Sequence, residues 1–219
     1  MAGHKITAVI PAFNEEATIG DVIQGVRPHV DEVILVDDAS KDQTAAIARE
    51  RGAVVLTHER NQGYDKSIDD GFALAEQRGA TVIFTFDADG QHRPEDIPNI
   101  VGPIVGGEAD VVVGRRPYRA RWTEYLFAVV AQIKANIQDP LCGFKAYSVD
   151  VYRNVGYFDR ISSIGTQLMF NAKKKGYRIV QKDILLKKRA ESDIPRFGRR
   201  LKANWKIFKA IVNVVIGRN

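Results

Sequence analysis

The chain has 219 residues, 45% hydrophobic and 27% charged, with one cysteine and a net charge of +5. That length suits one substantial domain, the lone Cys142 excludes an internal disulfide or a cysteine-built zinc site, and the longest apolar run, Tyr125–Ala131, is far too short to cross a bilayer. Charge is uneven: positions 173–219 hold 15 Lys/Arg and 3 Asp/Glu, a net +12, against 17 and 24 elsewhere, a net −7. A basic tail on an acidic body implies an anionic partner. One cysteine also suits a reducing, cytoplasmic setting, and Met1–Thr7 reads as the lead into a strand rather than a cleavable signal.

Strand and helix patterns alternate through the first 115 residues. Strands are expected at Ile6–Ile10, Glu32–Val36, Ala53–Leu56, Thr81–Phe86 and Asp110–Val113. Helices are expected between them, at Glu16–Val26, Asp42–Arg51, Lys66–Gln77 and Glu95–Val105. Gly52 and Gly79 follow two of these, where helices commonly stop. Such alternation predicts an α/β fold with a mostly parallel, doubly wound sheet. After Arg115 the rhythm changes. A helix over Trp122–Asn136, a loop Gln138–Gly143 and a short strand Phe144–Tyr147 come first. A helix over Ser163–Lys175 follows, then strands near Arg178–Val180 and Ile184–Lys188, a loop Arg189–Arg199 and a terminal helix Arg200–Ile216. Composition does not set this second half apart as a domain; it reads as a wall closing one side of the first half's crevice.

Open α/β sheets bind ligands beyond the carboxyl ends of their strands, and three polar clusters stand at such ends. After the first strand comes Pro11-Ala12-Phe13-Asn14-Glu15-Glu16. Pro11 stiffens the turn, Phe13 offers a stacking face and Glu15 an acceptor for a base or ribose; the same residues also fit a helix N-terminus capped by Asn14. After the second strand come Asp37 and Asp38, placed to reach nucleoside hydroxyls, with Asp42 a helix cap. The fourth strand runs into Asp87-Ala88-Asp89-Gly90-Gln91-His92. Two hard carboxylates there suit Mg²⁺ or Mn²⁺ shared with a diphosphate, the alternative being a solvated turn. Four carboxylates on one rim would repel one another, which a bound cation resolves.

Together these motifs, with Asn61-Gln62-Gly63, resemble family-2 glycosyltransferases of the GT-A fold, and most closely their dolichyl- or polyprenyl-phosphate sugar transferase group. The resemblance implies a nucleoside-diphosphate (NDP) sugar donor, UDP- or GDP-linked, a divalent cation, and inversion at the anomeric carbon. It implies that Pro11, Phe13, Glu15, Asp37 and Asp38 hold the nucleoside, and that Asp87, Ala88 and Asp89 meet the metal and diphosphate, with Gln91 beside them. Asp139-Pro140-Leu141-Cys142-Gly143-Phe144-Lys145-Ala146-Tyr147 resembles the family's Asp-x-x-x-Gly-Phe-Arg-Ala-Tyr. Asp139 would thereby lie near the acceptor in a catalytic role, and Lys145 replaces an arginine. Gly114-Arg115-Arg116 resembles Gly-Ser-Arg, so that either Arg115 or Arg116 would meet anionic oxygens. Residues 1–199 then form one GT-A-like catalytic domain, with 1–115 on the donor side and 116–199 on the acceptor side. The run Tyr64-Asp65-Lys66-Ser67 departs from the group's Gly- and Ala-rich pattern, and no transmembrane hairpin of the kind many members carry is expected within these 219 residues.

Residues 200–219 are expected to form a basic amphipathic helix, with positions 202, 206, 209 and 213 on one face and Trp205, Phe208, Ile211, Val212 and Val215 on others. Such a helix can lie on an anionic membrane or dock on the protein's own core. A lipid-phosphate acceptor favours peripheral contact with the cytoplasmic membrane face. The rival activities are a transferase acting on a saccharide or protein hydroxyl, a haloacid-dehalogenase-like phosphatase, and a sugar-nucleotide pyrophosphorylase. Gln91 and the fourth-strand position count against the phosphatase, and the pyrophosphorylase's Gly-rich N-terminal loop is missing. Nucleic acid is not an expected partner, because acidic strand ends repel a phosphate backbone.

Overall fold

Seven strands form one sheet whose order explains how distant residues come to share a rim. The computed structural model describes residues 3–118, 121–160, 163–187 and 200–216, the last segment with side chains at 204, 205 and 207–213. The strands are β1 (Ile6–Ala12), β2 (Glu32–Asp37), β3 (Val54–Thr57), β4 (Val82–Thr85), β5 (Val111–Arg115), β6 (Lys145–Ser148) and β7 (Ile179–Asp183). They lie in the order β3-β2-β1-β4-β6-β5-β7. β1 to β4 are mutually parallel and β5 is parallel to β7, whereas β6 runs antiparallel to both its neighbours. The sheet is therefore mixed but mostly parallel, and β6 joins the chain's second half to its first.

Helices cover both faces, which is why the central strands are apolar without alternation. Ala8, Ile10, Leu35, Phe84 and Val112 face a core shared with α1 (Ile19–Val26), α2 (Thr44–Glu50) and α4 (Ile97–Val105). Val9, Ile34, Val36, Ile83 and Val113 face the other core. That core is shared with α3 (Tyr64–Gln77), α5 (Trp122–Ala135), α6 (Val149–Val155), α7 (Gln167–Lys174) and α8 (Arg200–Ile216). Gly71 lets α3 approach β1 closely, since a Cβ there would collide with the Val9 side chain.

The elements differ from expectation mainly at their starts. α1 begins at Ile19 because Glu15 O first accepts bonds from Thr18 N and Ile19 N in a turn. α7 begins at Gln167 because Asp159 accepts hydrogen bonds from Ser163 N and Gly165 N, pinning residues 163–165 as a loop. α6 was not expected. The two strands anticipated between Arg178 and Lys188 are one strand, β7, followed by an isolated bridge from Leu186 to His92. The loop expected at 189–199 lies outside the described residues. α8 packs on α5 through buried Ile207, Ala210 and Ile211, leaving Trp205 and Phe208 exposed. Of the apolar positions expected off the basic face, Ile211 thus turns inward.

Candidate active site

β2, β1 and β4 are adjacent and parallel, so their carboxyl ends form a single edge, with Ala12 paired to Asp37 and Val9 to Thr85. The loops leaving that edge are stitched together. Ser40 Oγ accepts from Asn14 N (2.9 Å), Thr44 Oγ1 from Glu15 N (2.7 Å), and Asn14 Oδ1 from Lys41 N (2.8 Å). Thr18 Oγ1 lies 2.7 Å from Ala88 O and 3.1 Å from Glu15 Oε2, tying the first loop to the third. Phe13 stands 44% exposed on this rim while Pro11 is buried beneath it.

The two aspartates of β2 separate. Asp37 is buried at the strand end and accepts from Ser40 N (3.1 Å). Asp38 is committed elsewhere: Gln62 N (2.7 Å) and Gly63 N (2.8 Å) donate to its two oxygens, and His58 Nδ1 lies 2.8 Å away. Asp38, expected at the nucleoside, has a buried carboxylate that anchors the turn preceding α3.

At the end of β4, Asp87 and Asp89 are both partly exposed. Asp89 Oδ1 accepts from Gln91 N (3.1 Å), and Lys187 N donates to Gln91 O (2.8 Å). Asp87 Oδ2 lies 3.7 Å from His92 Nε2 and faces the bare backbone of Gly143, where any Cβ would collide with it. His92 is buried between the rings of Phe86 and Phe144, 5.4 Å from each, and its Nδ1 makes no hydrogen bond among the described residues. The donor chemistry fits a hard divalent cation: Asp87 stands beside a space kept clear by Gly143, and Asp89 and Gln91 on the same loop carry further oxygen donors. No three His, Cys, Asp or Glu side chains converge among the described residues, so an ion held here would complete its shell with diphosphate and water.

Beyond β5 the two arginines point differently. Arg115 pairs with exposed Asp183 and donates to Gln138 Oε1 (2.6 Å). Arg116 grips Asp139 with two prongs, Nε to Oδ2 and Nη2 to Oδ1, each 2.8 Å, and Arg116 N adds a 3.0 Å bond. Nη2 also reaches Glu124 Oε2 (3.1 Å). Burial disfavours the Arg116 charge, but the bonds to Asp139 override it and hold the guanidinium above its ordinary pKa. Asp139 is 1% exposed, so it is a partner of Arg116 rather than an open carboxylate. Nearby, burial pushes the Cys142 thiol up to about 12. Burial also lowers the pKa of the Lys145 amine, whose Nζ donates to Gly165 O (3.0 Å).

The structure thus brings Pro11, Phe13, Glu15, Asp37, Asp87, Ala88, Asp89 and Gln91 to one rim, with Arg116 and Asp139 on the adjoining wall. Gly143, His92 and Glu124 were missed. Gly143 lies within Asp139–Tyr147 and His92 within Asp87–His92, but neither residue type alone signals a site.

A model of Glycosyl transferase family 2 matches residues 7–156. The UDP-N-acetylglucosamine–dolichyl-phosphate N-acetylglucosaminyltransferase of Methanococcus voltae is 36% identical over 134 residues, 53% of either chain. The undecaprenyl-phosphate mannosyltransferase of Micrococcus luteus is 28% identical over 96% of this chain and 92% of its own. The chain spans about half the length of the first curated relatives it matches. The crystal structure of glucosyl-3-phosphoglycerate synthase from Mycobacterium tuberculosis, with Mn²⁺, UDP and glucosyl-3-phosphoglycerate, superposes with a TM-score of 0.76 at 22% identity. It covers 99% of this chain and 80% of the other, and the likeness establishes a GT-A architecture.

Proposed function

Because the chain belongs to glycosyl transferase family 2, we propose that it transfers a sugar from a UDP- or GDP-linked donor to a polyprenyl or dolichyl phosphate, with inversion. The observation that carries this reading is the pair Asp87 and Asp89 just beyond β4, with Asp87 against the clear space at Gly143. Relatives named for transfer to dolichyl and undecaprenyl phosphate support the acceptor.

In this reading Phe13 stacks on the base, and Glu15 and Asp37 accept hydrogen bonds from the nucleoside. Asp87, Asp89 and Gln91 would hold Mg²⁺ or Mn²⁺, which would supply positive charge to the leaving diphosphate. The acceptor phosphate is already ionised, so its oxygen attacks the anomeric carbon without a general base while the carbon–diphosphate bond breaks on the opposite face. Asp139 therefore orients Arg116 toward the anionic acceptor instead of removing a proton; both its oxygens are already engaged by that arginine. The site works at the cytoplasmic membrane face, with the basic terminal helix against lipid.

Thermal-shift titration of UDP- and GDP-sugars with and without Mn²⁺ tests the donor site. A metal-dependent rise for one nucleotide is expected, and its loss in Asp89→Ala with an unchanged fold. No shift with any nucleotide, or full transfer by Asp89→Ala in EDTA, would overturn the reading.

A further inference from the structure

α5 is apolar on two sides. Phe127, Ala128, Ala131 and Ala135 are buried against the body, as a core-facing stripe should be. Yet Trp122, Leu126, Val129 and Ile133, at spacings of four, three and four, form a second stripe turned to solvent. Ile133 is 80% exposed and Trp122 67%. Tyr125 flanks this stripe, also exposed. Scattered exposed apolar residues need no explanation, but a continuous stripe on one helix marks a surface that something covers.

The neighbouring helix extends the patch. Thr123 Oγ1 donates to Asn204 Oδ1 (2.9 Å), so α5 and α8 are joined beside Trp122 and Trp205. Trp205 stacks on Phe208 with ring centroids 5.9 Å apart, and both are exposed. α8 carries Arg200, Lys202, Lys206 and Lys209 and no acidic residue. An exposed aromatic and aliphatic surface on a helix pair of basic sequence, with Lys209 exposed beside Phe208, matches the boundary between acyl chains and anionic headgroups. A symmetric contact with a second copy would bring two copies of this basic helix together. No described helix is long and apolar enough to cross a membrane, so contact would be interfacial.

We propose that the outer stripe of α5, together with Trp205 and Phe208, inserts into the interface of an anionic bilayer. α8 buttresses α5 from one side and carries exposed Lys209. The patch starts near the acceptor wall: Glu124, two residues after Trp122, is buried and bonded to Arg116. A lipid phosphate drawn from the bilayer beside Trp122 would therefore meet the wall that Arg116 and Asp139 build. This inference rests on the lipid-phosphate reading for its purpose, but the surface is testable without it.

Trp122 and Trp205 are the only tryptophans in the chain, so intrinsic fluorescence reports on the proposed face directly. With vesicles of equal parts phosphatidylcholine and phosphatidylglycerol, emission should shift to the blue and be quenched by lipids brominated along the acyl chain. Val129→Asp combined with Ile133→Asp should lower vesicle partition about tenfold or more, with nucleotide-induced thermal shifts unchanged. Unshifted emission with vesicles, or unaltered partition of the double variant, would overturn the proposal. So would a dimer that the double variant converts to monomer without any change in partition, since the patch would then bind a second copy. Failure of the transferase reading would look different: no metal-dependent nucleotide shift in either protein, with vesicle partition intact in the unsubstituted chain.

Discussion

A methyl group added at Gly143 would press on Asp87 Oδ2, and Gly143 is held there because Thr85 on β4 bonds to the segment leading into β6. Gly143→Ala should therefore swing Asp87 aside. We expect Mn²⁺-dependent nucleotide affinity, measured by calorimetry, to fall about tenfold or more, with an overpacking cost to stability of about 1–3 kcal/mol. Asp139→Asn strips a buried arginine of its carboxylate, a change that typically costs about 3–5 kcal/mol. The lower end applies, because the Arg116 side chain retains 17% exposure and Glu124 as a second partner. Denaturation of Asp139→Asn alone and combined with Arg116→Met measures it; the pair should recover part of the loss. The placement of Asp87 and Asp89 was legible because an apolar run ending in acids marks a strand's carboxyl end. The bonds that hold Asp38 were not, because His58, Gln62 and Gly63 lie 20, 24 and 25 residues away in sequence. Nor was the partner of Arg116, which lies 23 residues away in sequence.

Ion pairs at element ends give the fold a specific response to acid. Arg78 at the end of α3 hydrogen-bonds Glu32 at the start of β2 and holds that carboxyl below its ordinary value. Arg178, beside β7, does the same to Asp110, beside β5. At Asp42 burial works toward a higher value, but bonds from the Thr44 hydroxyl and backbone and from Glu16 N outweigh it. A carboxyl whose folded pKa lies below its unfolded one stabilises the fold above the unfolded value, about 4, and that stability is lost as pH falls further. The urea midpoint should be flat from pH 7 to about 5 and drop below about 4. Asp42→Asn should flatten the drop, and an unchanged profile would refute its part. Elements with strong patterns, β1 to β5 and α1 to α4, were readable to within a few residues. α6 was not, being short and directly continuous with β6. The antiparallel sense of β6 was equally hidden, since a four-residue run carries no direction.

At the scale of the whole molecule, the layered α/β architecture followed from alternation and buried strand composition alone. The charge asymmetry was also visible, but its setting was not: α8 buries Ile207, Ala210 and Ile211 against α5 and shows Trp205 outward. A sequence pattern on one helix cannot report that a neighbour will occupy one of its faces.

The insertion of β6 between β4 and β5 has a consequence for biosynthesis. Thr85 waits for Lys145, 60 residues later, before its edge is covered. At roughly 5–20 residues per second, a ribosome leaves that interval open for about 3–12 s. Throughout it the nascent chain displays Val82–Thr85 as a bare, apolar strand edge, the kind of template on which stray polypeptides pair. Polysome-bound intermediates of this length are where a holdase chaperone would have most to protect.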